Sequence, residues 1–194
     1  MKRTIAVMTF LIFMISNIQA GNMPKIETLS DKSISVFFES WNRKGLILQI
    51  RNETGDNVFV DRIKNSKTIG KTYNLKNLEA GNYTLILRNE TSIMKTPFTV
   101  DIREVSFEST NSNTFHNPTI SVIDNKLELN LLSLNRDVNI LIENAQGEVI
   151  FQEANPKARK VQKVYNLNKL ETGIYTMVIK QEGHLSRKTF EISH

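Results

Sequence analysis

The 194-residue chain carries 25 Lys and Arg against 20 Asp and Glu, and it contains no cysteine. Without Lys2 and Arg3, which lie in an N-terminal segment discussed below, there are 23 basic and 20 acidic residues. A net charge of +3 is too small and too dispersed to indicate a nucleic-acid binder. The lack of cysteine excludes disulfides and a lipid anchor on cysteine, so packing alone must hold the fold together and we expect a soluble mature protein.

Residues 1–20 have the pattern of a secretory signal peptide. Lys2 and Arg3 precede an apolar run over residues 5–15, and the small residue Ala20 suits a cleavage site. The alternative is an uncleaved membrane anchor, for which the apolar run is short. The sequence thus predicts export to the periplasm, the cell surface or the medium.

The remaining chain contains the same pattern twice. Residues 46–100 align with residues 138–192 at a constant offset of 92 without a gap, and about fifteen of about fifty-five positions are identical. A stretch rich in Ser, Thr and Asn separates the two copies. We therefore predict a first domain over residues 21–102, a linker over 103–115 and a second domain over 116–194.

Within each copy, apolar residues recur at every second position, as in Leu46, Leu48 and Ile50. This period is typical of half-buried β-strands. Gly55 and Gly147 fall between strands, where a glycine can adopt the left-handed conformation that a short hairpin needs. Six or seven short strands in about eighty residues predict an all-β protein of two tandem immunoglobulin or fibronectin type III-like β-sandwich domains.

The strongest match between the copies is a string of leucines, a glycine and a tyrosine: Leu75, Leu78, Gly81 and Tyr83 in the first, and Leu167, Leu170, Gly173 and Tyr175 in the second. The leucines are expected to close one end of the core, and the glycine to permit a tight turn into the next strand. The tyrosine ring is expected to be buried while its hydroxyl bonds to backbone a few residues upstream, as in a tyrosine corner. The alternative is that these tyrosines bind sugar or peptide.

No convergent set of reactive groups is visible in the sequence. His116, His184 and His194 lack the spacing of metal ligands, and they fall at positions expected to be exposed turns or chain ends. Motifs of serine hydrolases, phosphate-binding loops and zinc proteases are absent. We therefore predict that the protein is not an enzyme and uses no cofactor and no metal.

Two further features have both a structural and a binding interpretation. Trp41, the only tryptophan, has no counterpart in the second copy, so it is either a candidate binding tip or a residue packed over the end of the sandwich. Basic residues cluster in the second copy, with a weaker echo in the first: Lys157, Arg159, Lys160 and Lys163, then Lys64, Lys67 and Lys71. Such a cluster indicates either a protected edge strand or a site for an anionic partner.

Residues 138–150, followed by Asn166-Leu167 through Gly173-Ile174-Tyr175 and by residues 187–192, resemble the C-terminal sorting domain of type IX secretion cargo. The resemblance implies that the second domain is a secretion signal. From the residues themselves, we expect instead a binding or structural module that presents loops or edge strands to a protein or glycan at the cell envelope. Both interpretations remain open at this point.

Overall fold

The computed structural model describes residues 23–38, 41, 44–64, 70–108 and 112–193. Every regular element among these residues is a β-strand, which confirms the predicted all-β class. The predicted signal peptide over residues 1–20, Lys67 and His194 lie outside the described residues. No helix of the described part is long and apolar enough to cross a membrane.

The first unit contains two facing sheets, built from β1 (Lys25–Leu29), β2 (Ser33–Phe37), β3 (Ile47–Asn52), β4 (Asn57–Arg62), β5 (Gly70–Asn74), β6 (Gly81–Arg88), β7 (Ser92–Val100), β8 (Val105–Phe107) and β9 (Asn113–His116). One sheet has the order β1-β2-β5, and the other has the order β4-β3-β6-β7-β8 with β9 also on β7. The alternate residues of β7 that face the other sheet are buried. Packing between the two inner faces forms a single core, as the period of two predicts.

The second unit has five strands: β10 (Thr119–Ile123), β11 (Lys126–Glu143), β12 (Val149–Asn166), β13 (Gly173–Gln181) and β14 (His184–Ile192). Its layout follows that of the first unit, except that β11 and β12 each run through both layers. The early part of β11 pairs with β10 and the late part of β12, whereas its later part pairs with β13 and the early part of β12. A register shift between Leu132 and Arg136 makes this bend, with Leu134 and Asn135 at positive φ. A second core lies between the layers.

The described parts of the predicted linker, residues 103–108 and 112–115, contain strands that pair with a sheet of the first unit. Val105–Phe107 pairs with Phe98–Val100 at one end of β7, and β9 pairs with Ser92–Lys95 at the other end. The polar composition of this stretch resembled a spacer, but backbone hydrogen bonds to a free sheet edge do not require apolar side chains. The segment between the units thus covers an edge that the first sheet would otherwise expose.

Turn glycines take the conformations that the sequence predicts. Gly55 has φ of 89° and Gly147 has φ of 82°, both in the left-handed region. In the first turn, the Gly55 N–H donates to the carbonyl of Asn52, and the Gly147 N–H donates to the carbonyl of Asn144 in the second, each at 3.0 Å. Nothing lies within 4 Å of a Cβ built at either glycine, so backbone conformation, and not space, is the reason for glycine here.

Candidate functional site

The two motif tyrosines have the geometry of tyrosine corners. The Tyr83 hydroxyl donates to the carbonyl of Glu79, and the Tyr175 hydroxyl donates to the carbonyl of Glu171, both at 3.0 Å. Each ring also stacks on a phenylalanine of the neighbouring strand, with centroids 5.6 Å apart in the first unit and 5.9 Å in the second. With rings packed and hydroxyls bonded to backbone, these tyrosines tie the start of a core strand to the turn that precedes it.

The motif leucines lie at one end of each core. Leu75 and Leu167 are buried, while Leu78 and Leu170 are partly buried against the same clusters. Backbone bonds hold this segment in place, because the Leu75 N–H donates to the carbonyl of Lys32 at 2.8 Å. The Leu167 N–H makes the corresponding bond in the second unit, also at 2.8 Å.

The motif glycines begin β6 and β13, and both positions have room for a Cβ atom. A Cβ at Gly81 or Gly173 would lie 3.9 or 3.8 Å from the ring of the tyrosine two residues later. Gly173 is not among the glycines with positive φ, so it does not depend on a left-handed backbone. At both positions, the ring of the tyrosine two residues later lies beside the Cα atom of the glycine.

A second pair of tyrosines, whose role the sequence did not reveal, holds a polar cluster in each unit. The Tyr73 hydroxyl donates to Oδ2 of Asp61 at 2.9 Å, and Lys71 Nζ binds the same oxygen at 2.6 Å. Burial, and then the hydrogen bond to Asp61, raises the pKa of Tyr73. Because the carboxylate accepts from both partners, it joins β4 of one sheet to β5 of the other.

The same cluster occurs 92 residues later in the second unit. The Tyr165 hydroxyl donates to Oε2 of Glu153 at 3.2 Å, and Lys163 forms an ion pair with the other oxygen of that carboxylate. Burial and the negative charge of Glu153 raise the pKa of Tyr165. The signal was present in the sequence, since the offset of 92 aligns Lys71 with Lys163 and an aspartate with a glutamate.

Each polar cluster lies beside an exposed apolar edge strand. β4 pairs only with β3 among the described strands, and the early part of β12 is likewise the outer strand of its layer. Val58 and Val60 are 42% and 40% exposed on β4, and Val149 and Ile150 are 50% and 42% exposed on β12. An apolar edge with free backbone groups is a surface to which another extended chain can add a strand.

Trp41 contacts the first core. It is half-buried and packs against the core cluster, and its backbone N–H donates to the carbonyl of Phe38 at 3.1 Å. The interpretation as a candidate binding tip stays a prediction, whereas these contacts are those of a residue packed over the sandwich end. In the second unit the corresponding bend of β11 has Leu134 and Asn135 and no aromatic residue.

The prediction that His116 and His184 are exposed turn residues is wrong. Both lie in strands and are half-buried, with His116 Nδ1 3.0 Å from the hydroxyl of Ser92. The centroid of the His184 ring lies 4.8 Å from that of Phe115, a residue of β9 in the first unit. Their burial could not be predicted from the sequence, because a single histidine beside turn residues does not reveal that the other unit packs against it.

The basic cluster of the second unit lies on β12, an edge strand, in agreement with the edge-strand interpretation. Lys163 is neutralised by Glu153, and in the first unit Lys71 is neutralised by Asp61.

Among the described residues, no group of three His, Asp or Glu side chains is placed to hold a metal ion.

Comparison with known proteins finds a family to which the second part of the chain is similar. Residues 108–193 match the model of the secretion system C-terminal sorting domain. No curated protein matches the chain.

Among solved structures, a biofilm-associated protein BSP domain is similar over 86% of this chain and 29% of its own length, at 16% identity and a TM-score of 0.31. The FN1–FN3 domains of chicken CNTN1 are similar over 87% of this chain and 65% of their own length, at 7% identity and a TM-score of 0.28. The chain thus spans less than a third of the first structure and about two thirds of the second. Residues 108–193 are similar to the sorting-domain family that the second copy resembles in sequence, and such a domain is found on secreted or cell-surface proteins.

Proposed function

We propose that residues 108–194 act as a sorting signal that directs this chain through a type IX secretion system, and that the first unit is the cargo. The observation that carries the proposal is the match of residues 108–193 to the sorting-domain family. The proposed role needs recognition of a folded unit and no catalysis, so we further propose that the chain is not an enzyme.

Two features of the described residues support a division into cargo and signal. Each unit has its own apolar core, with the first cluster drawn from residues 34–105 and the second from residues 127–192. The tyrosine corner and the carboxylate cluster occur in both units at the same offset. We infer that the units are copies of one domain, of which the second serves export.

Reporter fusions in a bacterium with a type IX system test this proposal. A fluorescent protein that carries the leader, residues 1–20, is fused either to residues 108–194 or to residues 21–107. The second fusion is the control, because residues 21–107 contain strands β1 to β8 of the first unit and end before the family match begins. We expect only the fusion with residues 108–194 on the cell surface or in the medium. Equal export of the two fusions would contradict the proposal.

A second candidate function is binding of a protein or glycan partner at the cell envelope, as the sequence predicts. The observation that favours it is the exposed apolar edge of β4, where Val58 and Val60 point away from the core. Replacing Val60 by Lys should abolish capture of such a partner by edge pairing, while Lys at exposed Val164 of the second unit serves as the control. Equal capture by the two variants would exclude the β4 edge.

A further inference from the structure

The two units meet around the side chain of Phe115, at a contact with Lys95, Arg136 and His184 that we call the joint. This residue belongs to β9, is 2% exposed, and is part of neither core cluster. The His184 ring lies against it, the Arg136 guanidinium carbon is 4.7 Å from its centroid, and Lys95 Nζ is 5.4 Å away. Lys95 comes from the outer face of the first unit, whereas Arg136 and His184 come from the second, so groups of both units surround one ring.

A cleft of about 400 Å³ lies beside this ring, between the outer face of the first unit and the second unit. Its lining includes two cations, two neutral polar side chains, an apolar ring and one carboxylate: Lys95, Arg136, Thr84, Asn113, Pro97 and Glu182. The cleft is wide enough for a small molecule, and polar and apolar groups of both units reach it.

Among the described residues, the cations of the cleft form no ion pair with a carboxylate. None of the ion pairs among the described residues involves Lys95, Arg136 or Arg51. Their nitrogen atoms donate instead to neutral oxygens: Lys95 to the carbonyl of Gly183 at 2.6 Å, and Arg136 to that of Thr114 at 2.9 Å.

Arg51 adds a third positive charge to the same side. It lies opposite Thr84 on β6, which in turn lies opposite Pro97 on β7, so all three residues form one row across the outer face. Its Nε donates to the neutral side-chain oxygen of Asn57 at 3.0 Å. Partial burial, and then the charge of Arg51, lowers the pKa of Lys95, as expected when a like charge lies nearby.

We infer that this cleft binds the oxyanion group of a small ligand, a phosphate or a sulfate, between the two units. Arg136 and Lys95 provide charged donors, and the Thr84 hydroxyl and the Asn113 amide provide neutral ones. The Phe115 ring and Pro97 form an apolar wall suited to the organic part of an ester. A bound oxyanion would compensate Lys95 and Arg136, the two cations among lining residues that include only one carboxylate, Glu182.

Nuclear magnetic resonance titration of the mature chain with sodium phosphate, at constant ionic strength, tests the inference. We expect saturable shifts at the backbone amides of Thr84, Asn113 and Gly183. Lys95→Met keeps the apolar stem and should weaken phosphate binding about tenfold or more, because it removes a charged donor. Lys169→Met removes a charge from an exposed turn of the second unit and should leave the affinity within about twofold.

Because Lys95→Met removes a contact between the units and could change their arrangement, a second variant alters the charge of the cleft at another position. Thr84→Glu places a carboxylate in the cleft, so it should abolish phosphate binding and raise the melting temperature of the phosphate-free protein. Titrations with sodium sulfate and glycerol phosphate distinguish a free anion from an ester, which should bind more tightly if the apolar wall takes part. Shifts that scatter over surface lysines without saturation, or equal losses in Lys95→Met and Lys169→Met, would overturn the inference.

Discussion

Removal of the Tyr73 hydroxyl should destabilise the first unit more than removal of the Tyr83 hydroxyl. Tyr73 donates to the Asp61 carboxylate at 2.9 Å, and hydrogen bonds to charged groups contribute about 1.5–3 kcal/mol. Lys71 remains on the same oxygen and compensates part of the loss, so we expect about 1.5 kcal/mol for Tyr73→Phe. Tyr83→Phe removes a bond to a neutral, exposed carbonyl and should cost about 0.5–1 kcal/mol.

Urea unfolding followed by tryptophan fluorescence measures this difference. Trp41 is the only tryptophan and packs against the first core, so its emission reports on the unit that contains both substitutions. With a slope of about 1–2 kcal/mol per molar urea, a loss of 1.5 kcal/mol lowers the midpoint by about 1 M.

A double-mutant cycle of Tyr73→Phe with Asp61→Asn isolates the pair. We expect a coupling energy of about 1 kcal/mol. Coupling below about 0.3 kcal/mol, or a Tyr83→Phe variant less stable than Tyr73→Phe, would refute the assignment of Asp61 as the group that joins the two sheets.

Three further predictions concern the second unit and the joint. Burial, and then the charge of Lys95, lowers the pKa of His184 from 6.5 to about 4, so the unfolded chain binds the proton first. The free energy of unfolding should therefore keep its full value above about pH 6.5 and fall as the pH decreases toward 4. Because His184 is half exposed, we expect a decrease of about 1 kcal/mol. In a pH series of urea midpoints, His184→Gln should remove this decrease. Phe115→Ala should loosen the joint and raise the radius of gyration in small-angle scattering, with no change expected if the ring contributes nothing to the contact. Tyr175→Phe should cost about 1 kcal/mol by calorimetry, and a cost near zero would contradict the bond to Glu171.

Local pattern was sufficient for much of the fold. The alternation in β3 and β7 determines which face of each strand is buried, because side chains of a strand point alternately to its two faces. Gly55 and Gly147 were predictable from the sequence because a left-handed residue in a short turn is a local requirement. The bonds of Tyr83 and Tyr175 reach only four residues back, so the motif itself contains both partners.

Contacts between distant segments were decided only by the tertiary structure. Lys95 and the carbonyl of Gly183 are 88 residues apart in the chain, and no periodicity relates them. The segment with Val105 and Phe115 was interpreted as a spacer because its polar composition says nothing about which sheet edge lies open beside it. By itself, the sequence determined which face of each strand is buried and where the turns lie, since these depend on residues close in the chain. The joint, its half-buried histidine and its cationic cleft depend on how the surfaces of the two folded units pack against each other.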